Sequence, residues 1–329
     1  MTGAEFQPKF HPAGFDDGLR LALDDVRAGR WRAMRDLLIR TGSDWALRTS
    51  RSQVLAAAAA KNDAVEAWQA EEPYDPHALM MRARVEAQRA LNAHRDRQDS
   101  AWRLADEARQ VCWDAARCWP EDPVPWVGLL ALAAVDVADV QQRHRDHRMA
   151  PPEDLLPYGP WGLLEAVRHR DPYNREAWHR MLQALQSYGE SGSNYVRWAS
   201  SWAPAGSALL VLPLYTFADI YRQRSQPALY WVSESISYHT DQALRGWFPF
   251  ADRTCWSPLD LNHLGQALYS GGFDEGAEVF EAIGTFATPL PWRYIADSPG
   301  RWQEEFLRAR RHYLPDPPTG PTHAAGPRR

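Results

Sequence analysis

The sequence predicts an all-α protein built from antiparallel helical hairpins. Three observations carry that expectation. Apolar residues recur at helical spacing almost everywhere, and no stretch alternates as a half-buried strand would. The breaks between periodic segments are short and carry Gly or Pro, which suits tight helix–helix turns. The stretches CWPEDPVPW and RDPYNREAW each place a tryptophan six residues after a proline, Pro120 to Trp126 and Pro172 to Trp178.

The elements follow in order. Residues 18–29 carry Leu19, Leu21, Leu23 and Val26 before a Gly stop, and 31–42 carry Met34, Leu37 and Leu38 before another. Residues 44–60 are Ala-rich, with strong helix propensity, and 63–73 end at a proline. Residues 77–95 and 100–119 are long amphipathic runs. Further helical segments are expected over 125–140, 160–170, 176–189, 193–203, 208–224, 228–247, 259–272, 274–284 and 300–314. Residues 1–13 carry no periodic pattern and are expected to be flexible, with one helical domain over 14–314. Within it, 141–158 read as a polar, Pro-rich insertion, and 315–329 as a tail too poor in apolar side chains to pack.

A proline stops the outgoing helix, because it lacks an N–H and clashes with the turn before it. A tryptophan one turn into the next helix can then fill the wedge between successive hairpins. Both rings, Trp126 and Trp178, are expected in that place. Sixteen tryptophans in one chain are expected to serve mainly as packing, because an indole buries a large apolar area.

These residues resemble the tetratricopeptide repeat, whose pattern is W-x2-L-G-x2-Y in the first helix and A-x3-F with a closing P in the second. Ala108, Cys112, Ala115 and Pro120 sit at second-helix spacings, and Trp126 with Leu129 match the next W-x2-L. Leu164, Val167 and Pro172, then Trp178 with Met181, form a second instance. A third is HLGQALYSGGFDEGAEVF, with Leu264-Gly265, Leu268, Gly271, Phe273, Gly276 and Phe280; Gly29, Trp31, Met34 and Leu38 are a fainter echo. The array departs from a regular repeat. Pro73, Pro120, Pro172 and Pro204 are 47, 52 and 32 residues apart, and Leu130 and Leu182 replace the first-helix Gly. The resemblance spans residues 14–284 and implies an α-α superhelix, a TPR-like solenoid. WASSWAPAGSALLVLP, after GRWRAMRDLL, is similar to uncharacterised bacterial TPR-like proteins, which implies no assigned activity.

Composition narrows the function classes. A net charge of −5 lacks the basic footprint of a general nucleic-acid binder. Only Lys9 and Lys61 are lysine, so the many arginines read as a GC-rich codon bias and carry no functional weight. Cys112, Cys118 and Cys255 are too few and scattered for a disulfide framework, which suits a reducing cytoplasm. The opening MTGAEFQPKFHPAGFDD has no apolar core of a signal peptide, and VGLLALAAVDVADV is too short to span a bilayer. A cytoplasmic protein with no membrane and no nucleic-acid partner is expected.

No catalytic signature stands out, and no cofactor or metal is expected. His144 and His147, with Asp146, read as a solvated loop because a metal needs a closed ligand set. Cys112 and Cys118 fall on different helix faces, and Cys112 reads as a core thiol. GESGS at 189–193 lacks the strand that a nucleophile elbow requires. The basic tract RARRHY at 308–313 is explained by the helix dipole.

The expected function is a non-enzymatic scaffold that holds a protein or peptide on its concave face. The partner-binding candidates are His179, Arg180, Gln183 and Gln186, on first-helix positions facing away from the packing side. The alternative is an enzyme or small-molecule binder with a pocket at the aromatic turn 247–256, lined by Trp247, Phe250, Asp252, Arg253 and Trp256, with Phe248 beside them. A third expectation is a homo-oligomer formed through the apolar face of Val127, Ala131 and Ala134.

Overall fold

The computed structural model describes residues 6–135, 149–224 and 228–315. Among the described residues the chain forms sixteen α-helices and no strand; one isolated bridge pairs Met149 with Gly159. The helices are α1 (Asp17–Arg27), α2 (Arg32–Thr41), α3 (Trp45–Ala59), α4 (Ala64–Glu71), α5 (Pro76–Arg95), α6 (Ala101–Cys118), α7 (Val124–Leu132) and α8 (Trp161–Arg168). They continue as α9 (Arg175–Ser187), α10 (Ser193–Ser201), α11 (Leu212–Arg224), α12 (Glu234–Gln242), α13 (Pro258–Gly271), α14 (Ala277–Ile283), α15 (Pro289–Ile295) and α16 (Trp302–Tyr313).

Short polar side chains start several of them. Asp16, Asp44 and Asn174 each accept a hydrogen bond from the backbone N–H three residues on, and Asp75 does so from His77. Two long expected helices are divided. In 208–224 a 3-10 turn at Ala208–Leu210 precedes α11, because Pro213 has no N–H to continue an earlier helix and fits the first turn of a new one. In 228–247 the extended backbone of Ser233 separates a 3-10 segment from α12, which ends in a π turn over Ala243–Trp247. Helix α15 was not expected. Its backbone is kinked: Leu290 is extended, with φ −94° and ψ 143°, and the helical turn that carries Trp292 starts at Pro291, where a missing N–H costs nothing. Trp292 inside it is fully buried and donates to Asn262 Oδ1 at 2.8 Å.

Three apolar cores follow one another along the chain. Val26, Met34, Leu38, Leu55 and Trp68 belong to the first. The second gathers Ala87, Ala108, Cys112, Leu129, Leu164, Trp178 and Tyr195. The third gathers Phe217, Trp231, Leu264, Phe280, Trp292 and Phe306. Small residues let the helices approach closely. A Cβ added at Gly128 would lie 3.0 Å from Cys112 Sγ, and one at Gly265 3.2 Å from Ile283 Cδ1. Buried among such neighbours, the Cys112 thiol is pushed up to about 12 and is chemically inert.

The proline–tryptophan spacing has a direct explanation. Trp178 is buried, and its indole N–H donates to the carbonyl of Pro172 at 3.2 Å, so the ring satisfies the acceptor that the helix stop leaves open. It meets both Arg168 of α8 and Trp202, which follows α10. Trp126 is half-buried, edge-on to Trp113 of α6 at 5.1 Å, with the Arg170 guanidinium 4.6 Å above it. There Arg170 takes over the second role and donates to the carbonyl of Pro120.

Residues 6–13 form no helix, and they make specific contacts with the rest of the chain. Ala13 is buried in the first core and Phe6 packs on the third. The described part of the insertion also folds back: Leu156 is buried in the second core, and Glu153 accepts from Trp198 Nε1 at 2.9 Å. His144, Asp146 and His147 lie outside the described residues, as does the tail beyond Pro315.

Trp178→Ala should lower unfolding free energy by about 3–5 kcal/mol, the range for emptying a large buried site. Trp126→Ala should cost less, about 1–2 kcal/mol, because its ring is only half-buried. Urea midpoints of the two variants check this; equal losses would contradict the different burial.

Candidate functional site

Helix α9 begins with polar side chains that pair with three other helices. Its first two residues leave in different directions. Arg175 forms a two-pronged ion pair with Asp260 of α13, both N···O distances 2.6 Å, and donates to the Tyr215 hydroxyl of α11 at 2.9 Å. Tyr215 in turn donates to Asp260 Oδ1. The Tyr215 ring stacks on His263 with centroids 3.7 Å apart, and His179 meets it edge-on at 4.5 Å. Glu176 accepts from Arg84 of α5 through both oxygens, one contact being 3.2 Å, and from Arg180 at 3.0 Å. Asn174, the α9 cap, also donates to Thr49 Oγ1 of α3 at 3.0 Å.

Burial sets the protonation states. It opposes the charge on Arg175, but the Asp260 carboxylate and Tyr215 outweigh it and raise the guanidinium pKa. Burial likewise opposes the Glu176 charge, and Arg84 with Arg180 overcome it, so the carboxyl titrates below its ordinary range. Desolvation holds His179 well below the usual imidazole value, with Arg175 and Arg180 adding to it. It lowers His263 to about 3, and lowers His239 of α12 to about 4 with help from Arg197. Tyr215 is raised well above the usual phenol value, first by desolvation and then by Asp260. These imidazoles are neutral and weakly basic at pH 7, and the phenol stays protonated. The cluster is therefore suited to joining α9, α11 and α13, and poorly suited to proton transfer near neutrality.

The expected partner-binding residues share α9 but differ in availability. His179 is half-buried against Tyr215. Arg180 is held by Glu176 and donates to Gln183 Oε1 at 3.0 Å. Gln183 is exposed, and Gln186 is half-exposed beside Gly192. The face expected to mediate self-association is covered: Val127 and Ala131 are buried in the chain's own interior, where α5 and α9 pack against α7.

The aromatic turn does not converge on one space. Trp247 is buried in the third core, whereas Phe250 is 66% exposed. Phe248 stacks on Trp256 at 5.3 Å, and Arg253 covers the other ring with its guanidinium 5.3 Å away. Asp252 caps its own turn, accepting from Thr254 N at 2.9 Å and Thr254 Oγ1 at 2.8 Å. A cleft of about 170 Å³ lies elsewhere, where Leu155, Leu156 and Pro157 face Ser191, Asn194 and Tyr195. Sequence reasoning missed it, because nothing local tells that 155–157 folds onto the GESGS turn.

Among the described residues no three His, Cys, Asp or Glu side chains form a metal-binding group, and no helix is long and apolar enough to cross a membrane. No protein-family model, no curated protein and no solved structure matches the chain.

Two predictions follow from these ion pairs and imidazoles. Glu176→Gln should cost about 3–5 kcal/mol in chemical denaturation, because two arginines lose their buried counter-charge. A loss under 1 kcal/mol would contradict the account. The folded pKa values of His239 and His263 lie below the unfolded value of about 6.5, so the unfolded chain binds more protons and stability is lost as the pH is lowered. Each histidine should remove about 2 kcal/mol between pH 7 and pH 5. The variant His239→Gln/His263→Gln should show a visibly flatter pH profile, whatever its stability at pH 7.

Proposed function

We propose that the chain is a TPR-like array of stacked helical hairpins that works without catalysis and holds a protein or peptide partner in the cytoplasm. The observation that carries this reading is the division of labour on α9. Its buried turn is committed to ion pairs with α5 and α13, and its groups titrate away from neutrality. Its outer turn keeps Gln183, Gln186 and the edge of Arg180 within reach of solvent. Amide side chains held on a rigid helix present donors and acceptors together and suit the main chain of a bound peptide. Of the four expected binding residues, His179 contributes by buttressing Tyr215, and Gln183 and Gln186 with Arg180 make the contacts. Three free cysteines, one of them buried, agree with a reducing compartment.

Affinity capture from the native cell, read by mass spectrometry, tests the proposal. The wild-type chain should retain a discrete partner. Gln183→Ala/Gln186→Ala should lose it at least tenfold while keeping its denaturation midpoint. Equal recovery by the variant, or no enrichment by either chain, would contradict the assignment.

A further inference from the structure

Residues 6–15 join the two ends of the molecule without belonging to a helix. Ala13 is buried in the first core, next to α1. The rest of the segment lies against α13, the turn after α14, and α16. The Lys9 N–H donates to the Thr285 carbonyl at 2.6 Å. The Phe15 ring meets Phe286 edge-on at 5.0 Å. Phe6 lies 6.5 Å from Phe306, with the Arg310 guanidinium 4.0 Å from the centre of its ring. The Gly14 backbone sits flush on Pro258, where an added Cβ would overlap the proline ring, and its φ of +51° favours glycine.

A bound peptide sits in the same manner, with a main-chain hydrogen bond and separate seats for aromatic side chains. Between these anchors Gln7, Lys9 and Phe10 are exposed, so the segment is held at points rather than buried along its length. We propose that residues 6–15 are a resident peptide ligand, and that Pro258, Thr285, Phe286, Phe306 and Arg310 form a docking groove for it. The groove is a separate site from the α9 face and does not rest on that reading. Tethering gives the resident segment a millimolar effective concentration, so it outcompetes the same sequence supplied free at micromolar levels. Loosening it opens the groove to a second segment of the same chemistry, an aromatic residue followed by a main-chain donor and a second aromatic.

Full-length Gly14→Val displaces the segment, because the valine side chain has no room over Pro258 and disfavours a positive φ. The probe is a fluorescent peptide of residues 6–16, FQPKFHPAGFD. The Lys9 amide of the variant should exchange with deuterium at least tenfold faster than in the wild type, with helical circular dichroism retained. The variant should bind the probe at least tenfold more tightly than the wild type, and adding Arg310→Ala should weaken that binding. Phe6→Ser, which frees Arg310, carries the same expectations by an independent route. Unchanged Lys9 exchange in both variants would show that the segment is not separable. Fast exchange without probe binding would show that the groove is no docking site. Either result overturns the proposal.

Discussion

Two buried arginine–carboxylate pairs, Arg48–Asp122 and Arg84–Glu176, and a third, Arg175–Asp260, whose arginine is partly exposed, hold together elements that are remote in sequence. Arg48 reaches Asp122 across 74 residues at 2.8 Å, Arg84 reaches Glu176 across 92, and Arg175 reaches Asp260 across 85. Each couples one helix to an element that is not its hairpin partner. Arg48 also takes His77 as a neighbour at 3.1 Å, and Trp119 lies 4.7 Å from its guanidinium. Charges buried this deeply persist only with their counter-charge beside them, so each pair strongly disfavours any arrangement that separates its helices. Helix α9 supplies two of the six residues and is therefore the element on which the middle and the C-terminal cores agree.

Apolar packing supplies most of the attraction between neighbouring helices, and the ion pairs select among the ways of stacking them. The long α5–α6 hairpin shows the difference. Its seam is lined by Ala83, Ala87, Ala90, Ala105 and Ala108, side chains too small and too alike to define one register alone. Arg84 on the same helix, with Glu176 as its partner, adds the directional contact. The tryptophans act at the joints between hairpins. Trp178 closes the wedge and caps the Pro172 carbonyl at once, and Trp126 shares these tasks with Arg170.

Much of the helical skeleton was legible in the sequence, because a periodic apolar face is local information. Two of the segments that were divided or missed are those where proline has two meanings. Pro213 and Pro291 start helical turns, whereas Pro120 and Pro172 end them, and composition does not separate the cases. The site was less legible. That His179, Gln183 and Gln186 lie along one side of a helix follows from their spacing. That Tyr215 arrives from α11 to cover His179 does not. The many arginines read as a codon bias in the sequence, yet three of them form long-range ion pairs in the interior. Their carboxylate partners lie 74 to 92 residues away, beyond any spacing rule. The aromatic turn 247–256 was visible as a cluster, but the π turn before it sends Trp247 inward and leaves Phe250 in solvent.

The most direct test of the selecting role of these pairs is a double-mutant cycle on Arg175 and Asp260, measured by urea denaturation. Arg175→Ala, Asp260→Ala and the double variant give the coupling energy once each single loss is known. A coupling of about 1–3 kcal/mol, with the double variant less destabilised than the sum of the singles, is the result the account predicts. Additive losses, with coupling near zero, would contradict it.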